Sequence, residues 1–276
     1  MATIYLNDGA TSLAAANWSD GAGIVAASDG VIRSGGQSIT TAVDYNGVTI
    51  ASFRMAEQFT GTVGSASAPL WIAAATDGTA AEWSSTAAEG RVVNGSGGTL
   101  FLKSTGTMDN LHQSGGGRTT LISGTATWLR VTNGGFTAED ASTVTNARIL
   151  GGVSTIGESA TAGTVLDVLG GTVTTRRPFT TINVYEGDCF INTNTSSSAA
   201  VTINQYGGRV FLLSLFTNGT VNYNRFGGLF DPRRMTRELT IATMISSANA
   251  RFAGLPSGVT LTITTQSLRD AGAQRI

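Results

Sequence analysis

Carboxylates close enough to act as a pair are where chemistry would start. Glu186 and Asp188 flank Gly187, Asp167 precedes them and Arg209 follows. Cleavage of a polysaccharide needs two acids about 5–9 Å apart, set among basic and aromatic groups. This cluster is the candidate for such acid–base work. The competing reading is ordinary charge pairing between neighbouring strands on a solvated face. His112 is the only histidine, so a Ser/His triad or a histidine metal site has a single imidazole to draw on. Cys189 is the only cysteine. No intramolecular disulfide can form, and no Cys/His cluster exists for zinc. Neither a GxSxG elbow nor a Walker loop occurs. The stretches Gly95–Gly98 and Ser114–Gly117 look like phosphate cradles, but both fall on the corners of a repeat, where turns explain them. The expectation is a chain with no catalytic residue, no cofactor and no metal.

Composition points the same way. Charged residues make up 13% of the 276 residues, about half the roughly 25% of ordinary soluble domains. A net charge of -1 argues against wholesale binding to nucleic acid. Lys103 is the lone lysine among 17 basic residues. The rest are arginines, whose planar forks suit interfaces. No apolar run reaches about 18 residues, so no transmembrane helix and no membrane partner is expected. The opening MATIYLNDGATS lacks a basic segment followed by an apolar one, so no secretory signal is expected either. Synthesis in a cytoplasm is the expectation, with retention there unless the chain leaves inside an assembly.

The elements that hold these residues are written as a repeat. The segment TINVYEG (Thr181–Gly187) returns as TINQYGG (Thr202–Gly208) and again as NYNRFGG (Asn222–Gly228). Glycine pairs end at Gly98, Gly117, Gly135, Gly152, Gly171, Gly208 and Gly228, with Gly187 alone in the same context. An interval of roughly 20 residues is too short for helical repeats and marks a solenoid. The segments on either side of each corner are β-branched and aromatic, and too short for helices. The predicted fold is all-β: a parallel β-helix of short strands with Gly-Gly corners. Each coil should lie about 4.8 Å above the last.

Alternation along the strands assigns faces. Counting back from each last glycine, position minus five holds Ala147, Leu166, Ile182, Ile203 and Tyr223. Position minus three holds Ile149, Val168, Val184, Gln205 and Arg225. These columns should point inward. Arg148, Asp167, Asn183, Asn204 and Asn224, at minus four, should point outward, with Arg148 and Asp167 as neighbours. Gln205 and Arg225 break the inward pattern, so an inward asparagine ladder is the alternative. After the corner, position plus two reads Leu100, Thr119, Thr137, Ser154, Val173, Cys189, Val210 and Phe230, which makes Cys189 a buried structural thiol. Position minus two reads Leu150, Leu169, Tyr185, Tyr206 and Phe226. By strict alternation this column is outward and would expose on the order of 400–600 Å² of apolar surface, as much as a monomer usually leaves bare. It is the candidate oligomer interface. The alternative is a turn that begins one residue early and rotates the column into the core.

Three regions follow. Residues 1–90 form an irregular N-terminal β region or cap that holds Trp18, Trp71 and Trp83. Residues 91–230 form the regular coils. Residues 231–276 form a C-terminal cap or docking element, in which RRMTRELTIATMISSANARF could include a short helix before the alternating GVTLTITTQSL. An open solenoid end needs cover, because its strand edge invites pairing.

The run of SGG, NGG and LGG corners with valine and threonine between them resembles β-helical virion proteins of tailed phages, and more weakly the passenger repeats of autotransporter adhesins. The resemblance covers residues 91–230. With no signal sequence and no membrane barrel, the head decoration or cement proteins suit the chain best. That likeness implies a structural, non-enzymatic virion protein on a capsid surface, a homotrimer at threefold sites, and the major capsid protein as partner. Docking would then use a chain end, with Asp231, Arg233, Arg234 and Arg237 as the charged candidates. A tail fibre, tail spike or adhesin that binds host glycans is the first alternative, and a polysaccharide-active β-helix enzyme the second.

Overall fold

A corner at the end of each short strand turns the chain so that the next coil retraces the last, and strands one coil apart pair in parallel. The computed structural model describes residues 3–75, 92–159, 161–193, 200–215, 220–236, 238–247, 250–254 and 260–269. The fold is a parallel β-solenoid of about 10 turns, as the repeat predicts. The described residues contain no α-helix, only a 3-10 turn at Ala15–Asn17. The chain divides into two compact units, Met1–Ala147 with Gly152–Ser154, and Arg148–Gly151 with Thr155–Ile276.

In the first unit the parallel ladder starts well before residue 91. Thr3–Tyr5, Asp29–Gly35, Ser52–Phe59, Val92–Asn94, Thr99–Gln113 and Arg118–Val131 pair in succession. The early rungs show no period in the sequence because connections of unequal length separate them: Asp29 aligns with Ser52, while Phe53 aligns with Val92. Trp18 covers the first rung. It is buried, and its indole Nε1 donates to the Leu13 carbonyl at 2.9 Å. Trp83 lies outside the described residues.

One corner shifts the expected register. Thr119 aligns with Phe136, not Thr137, and Phe136 is the buried residue. The reason is backbone geometry. Gly134 has φ +72 and makes the turn, a conformation glycine adopts at little cost, while Gly135 already opens the strand Gly135–Ala138. Counting from the second glycine therefore misplaces this coil by one residue.

In the second unit one ladder runs through Gly163–Val168, Phe179–Val184, Val201–Gln205, Val221–Arg225, Leu239–Ser247 and Leu261–Arg269. A second runs through Thr172–Thr175, Asp188–Thr193, Arg209–Leu215, Leu229–Asp231 and Arg251–Phe252. Among the described residues of the tail the expected short helix is absent: Leu239–Ser247, in the middle of that segment, is a nine-residue strand. Its Leu, Ala and Met suit a helix, but pairing on both edges, with Val221–Arg225 and Leu261–Arg269, outweighs the modest difference in intrinsic propensity.

The inward columns are as expected, and Gln205 and Arg225 belong to them. Leu166, Val168, Ile182, Val184, Ile203 and Tyr223 are buried, and so are Gln205 and Arg225. The asparagine ladder is the outward column. A polar side chain is tolerated inside because the corner presents carbonyls to it. The Gln205 amide donates to the carbonyls of Leu229 at 3.0 Å and Gly208 at 3.3 Å, and its Oε1 accepts from the Tyr223 hydroxyl at 2.7 Å. Gln113 does the same in the first unit: it donates to Gly115 and Gly117 and accepts from Thr119. Arg225 donates to the Arg251 carbonyl at 2.6 Å.

Gln205→Leu should cost about 1–3 kcal/mol, because it leaves the buried Tyr223 hydroxyl without its acceptor and removes the side-chain donor to the Leu229 and Gly208 carbonyls. Tyr223→Phe in the Gln205→Leu background should cost less than in the wild type, since the hydroxyl it removes is already orphaned. Urea unfolding of the four proteins of this double-mutant cycle checks both; additive effects would mean the two side chains are not coupled.

Candidate functional site

Two of the three acids singled out for chemistry, Asp167 and Asp188, are engaged with neighbours. Asp167 accepts from Arg148 Nη2 at 3.3 Å and from Asn183 Nδ2 at 2.8 Å. Asp188 holds a forked pair with Arg209, with Nε 2.6 Å from Oδ1 and Nη2 on Oδ2. Glu186 is exposed on the corner. Arg148 and Asp167 meet as the register predicts, and the reading of the cluster as strand-to-strand charge pairing matches these contacts.

The lone cysteine is an inner residue, and the lone histidine is half-buried on the outward side, between the buried Leu111 and Gln113. Cys189 is fully buried in register between Val173 and Val210, and burial pushes its thiol up to about 12. A thiol in that state is not a nucleophile near neutral pH. His112 has Nε2 3.4 Å from Thr132 Oγ1. Burial, and then the charge on Arg130, bring its pKa down to about 4.

The minus-two column is outward, and the core alternative does not hold. Leu169, Tyr185 and Tyr206 are exposed by 38%, 42% and 47%, and Leu150 and Phe226 are half-buried. Backbone bonds hold the column in register. The N–H groups of Leu169, Tyr185, Tyr206 and Phe226 donate to the carbonyls of Ile149, Val168, Val184 and Gln205 at 2.7–2.8 Å. The rings therefore stack one per rung: Tyr185 and Tyr206 at 4.9 Å and 8°, Tyr206 and Phe226 at 5.0 Å and 16°. Stacking covers the inner ring faces and leaves ring edges and hydroxyls outward. Burial, and then the Asp167 charge, hold the Tyr185 hydroxyl above its usual pKa, so it is a donor at neutral pH.

Beside this column runs the polar one. Asn224 Nδ2 donates to Asn204 Oδ1, Asn204 to Asn183, and Asn183 to Asp167, each at 2.8 Å. The chain of amides runs one way and ends on the carboxylate that Arg148 pairs. An aromatic ladder and a hydrogen-bonded amide ladder thus share one face.

The docking candidates behave differently from one another. Asp231 is buried and forked by Arg233, with Nε 2.9 Å from Oδ1 and Nη2 2.6 Å from Oδ2. Those bonds hold its carboxyl below the usual range. Arg233 and Arg234 are exposed, and Arg237 lies outside the described residues. A second outward stack, Phe190 on Phe211 at 4.3 Å and 6°, was not singled out in the sequence. Both residues sit at plus three from their corner glycines, so the same alignment carries the signal. No protein-family model, curated protein or solved structure matches this chain.

The pH dependence of stability should carry the mark of His112. In the unfolded chain it takes a proton below pH 6.5; in the fold it does so only near pH 4. The unfolded state therefore binds more protons between those values, and stability falls as pH drops from 6.5 to 4. His112→Gln should lose less stability than wild type over that window. Identical slopes in denaturation midpoints from pH 7 to 4.5 would remove the linkage.

Proposed function

We propose that this chain is a structural, non-enzymatic virion protein: a decoration or cement protein on a phage head, assembled as a homotrimer through its aromatic face. The observation that carries the reading is the outward stack Leu169–Tyr185–Tyr206–Phe226. Rings stacked on one another offer edges, which pack against protein side chains, whereas a sugar stacks on an open ring face. A straight column one rung apart presents matched contacts to another copy of itself. The engaged states of Asp167 and Asp188 favour structure over acid–base catalysis at that cluster. The placement on a phage head follows from the resemblance of residues 91–230, and Arg233 and Arg234 are the candidate contacts to the capsid.

Replacing Tyr185, Tyr206 and Phe226 together by Ser should convert a trimer into a folded monomer, read by sedimentation and circular dichroism. The three side chains are outward, so the fold should survive. An unchanged trimer would place the interface elsewhere, and a wild-type monomer would remove it. Subnanometre imaging of purified particles should find the protein at lattice positions on the head; positions on the tail would defeat the decoration reading.

A further inference from the structure

The chain after the strand Leu229–Asp231 folds back on the preceding coil and builds a small polar-rimmed depression. Three contacts fix it. Arg233 forks Asp231; Met235 is buried, with its N–H on the Pro232 carbonyl at 2.9 Å; Thr236 donates from its N–H to Leu213 at 2.8 Å. The depression, ≈ 320 Å³, is lined by Phe211, Asp231, Arg233 and Arg234. That volume is at the small end of ligand sites, which run from about 300 to 1,000 Å³.

Its one aromatic wall differs from the Tyr185 column. Phe190 covers one face of Phe211. The residue aligned with Phe211 one rung on is Asp231, which is shorter than a ring and turned toward Arg233. Phe211 lines the depression, and the guanidinium of Arg209, itself forked on Asp188, lies 5.4 Å from its ring centroid. The charges are unequal as well. Arg233 and Arg234 bring two positive charges and Asp231 one negative. Among the described residues no ion pair holds the Arg234 guanidinium.

We propose that this depression is a binding site for a carboxylate-bearing sugar residue, a uronate or similar monoanion. The sugar's C–H face lies on Phe211, and its carboxylate meets the Arg234 fork with Arg233 beside it. An arginine fork matches a carboxylate in shape. A single net positive charge suits a monoanion, and Asp231 in the wall disfavours a doubly charged phosphate. An aromatic wall in a depression of this size suits the flat C–H face of a pyranose. The site is separate from the aromatic face assigned to self-assembly and stands or falls without it; it uses Arg233 and Arg234 in place of the capsid contact suggested for them.

The test uses the full chain with methyl β-D-glucuronide and its neutral match methyl β-D-glucoside, by saturation-transfer NMR and calorimetry. The glucuronide should bind at least tenfold tighter. Arg234→Gln should erase that preference, and Phe211→Leu should weaken both sugars at least tenfold, with melting temperatures unchanged. Should Phe211→Leu loosen the fold, the exposed Arg234→Gln still decides. The proposal is overturned by no glucuronide binding at millimolar concentration or by equal binding of the two sugars. It is equally overturned by indifference to Arg234→Gln, or by tighter binding of inorganic phosphate or an Asp/Glu-rich peptide.

Discussion

Backbone packs on backbone at one corner of the coil, and every outward and inward column inherits its alignment from that contact. A Cβ at Gly117 would overlap the carbonyl oxygen of Gly98, and one at Gly134 would overlap those of Gly115 and Gly117. No side chain stands between successive coils there, so their separation is set by the amide groups themselves. Once the corner is held, residues at a fixed offset from it must lie above one another. Burial of one offset and exposure of the next then follow from the strand's two-residue alternation.

Strict stacking lets like residues help one another. Asparagines one rung apart sit at the spacing at which Nδ2 reaches the next Oδ1, as the two bonds of 2.8 Å between Asn224, Asn204 and Asn183 show. Aromatic rings one rung apart meet face to face at 4.9 and 5.0 Å. The same geometry makes an inward glutamine useful. Corner carbonyls turn toward the inside of the coil, and Gln113 and Gln205 add side-chain donors to them, at Gly117 and Gly208 beside the backbone N–H groups of Gly135 and Leu229. A polar residue in an apolar column is here a corner fastening rather than a flaw in the core.

The fold class was legible because the corner needs glycine and glycine is countable. Burial at minus five and minus three was legible for the same reason. What failed did so where the marker was ambiguous or missing. At Asn133-Gly134-Gly135 two glycines compete for the turn, and only the positive φ at Gly134 decides it. In residues 29–59 the rungs are joined by long, unequal connections, so pairing of Asp29 with Ser52 leaves no period to find. In Leu239–Ser247 local propensity suggested a helix, and the two neighbouring strands decided otherwise. Of the surface, the Tyr185 column was visible as an offset. The Phe211 depression was not, since its walls come from two rungs and a turn, and the turn's position depends on Met235 and Thr236 reaching back to an earlier coil.

What an aromatic residue on this solenoid can do depends on its neighbour one rung away. Between two other rings, as Tyr206 is, it loses both faces and keeps an edge and a hydroxyl. At the end of a stack, as Phe211 is, it has a ring neighbour on one side only, and the residue that follows it determines what shares the space. Where that residue is a short acid turned aside by an arginine, the ring gains a charged rim. Edge contact and face contact favour different partners, so one repeat can carry two kinds of surface with no change in the backbone beneath them. The choice is made by single substitutions at a fixed offset from a glycine, which leave the corner packing, and with it the register of every other column, untouched.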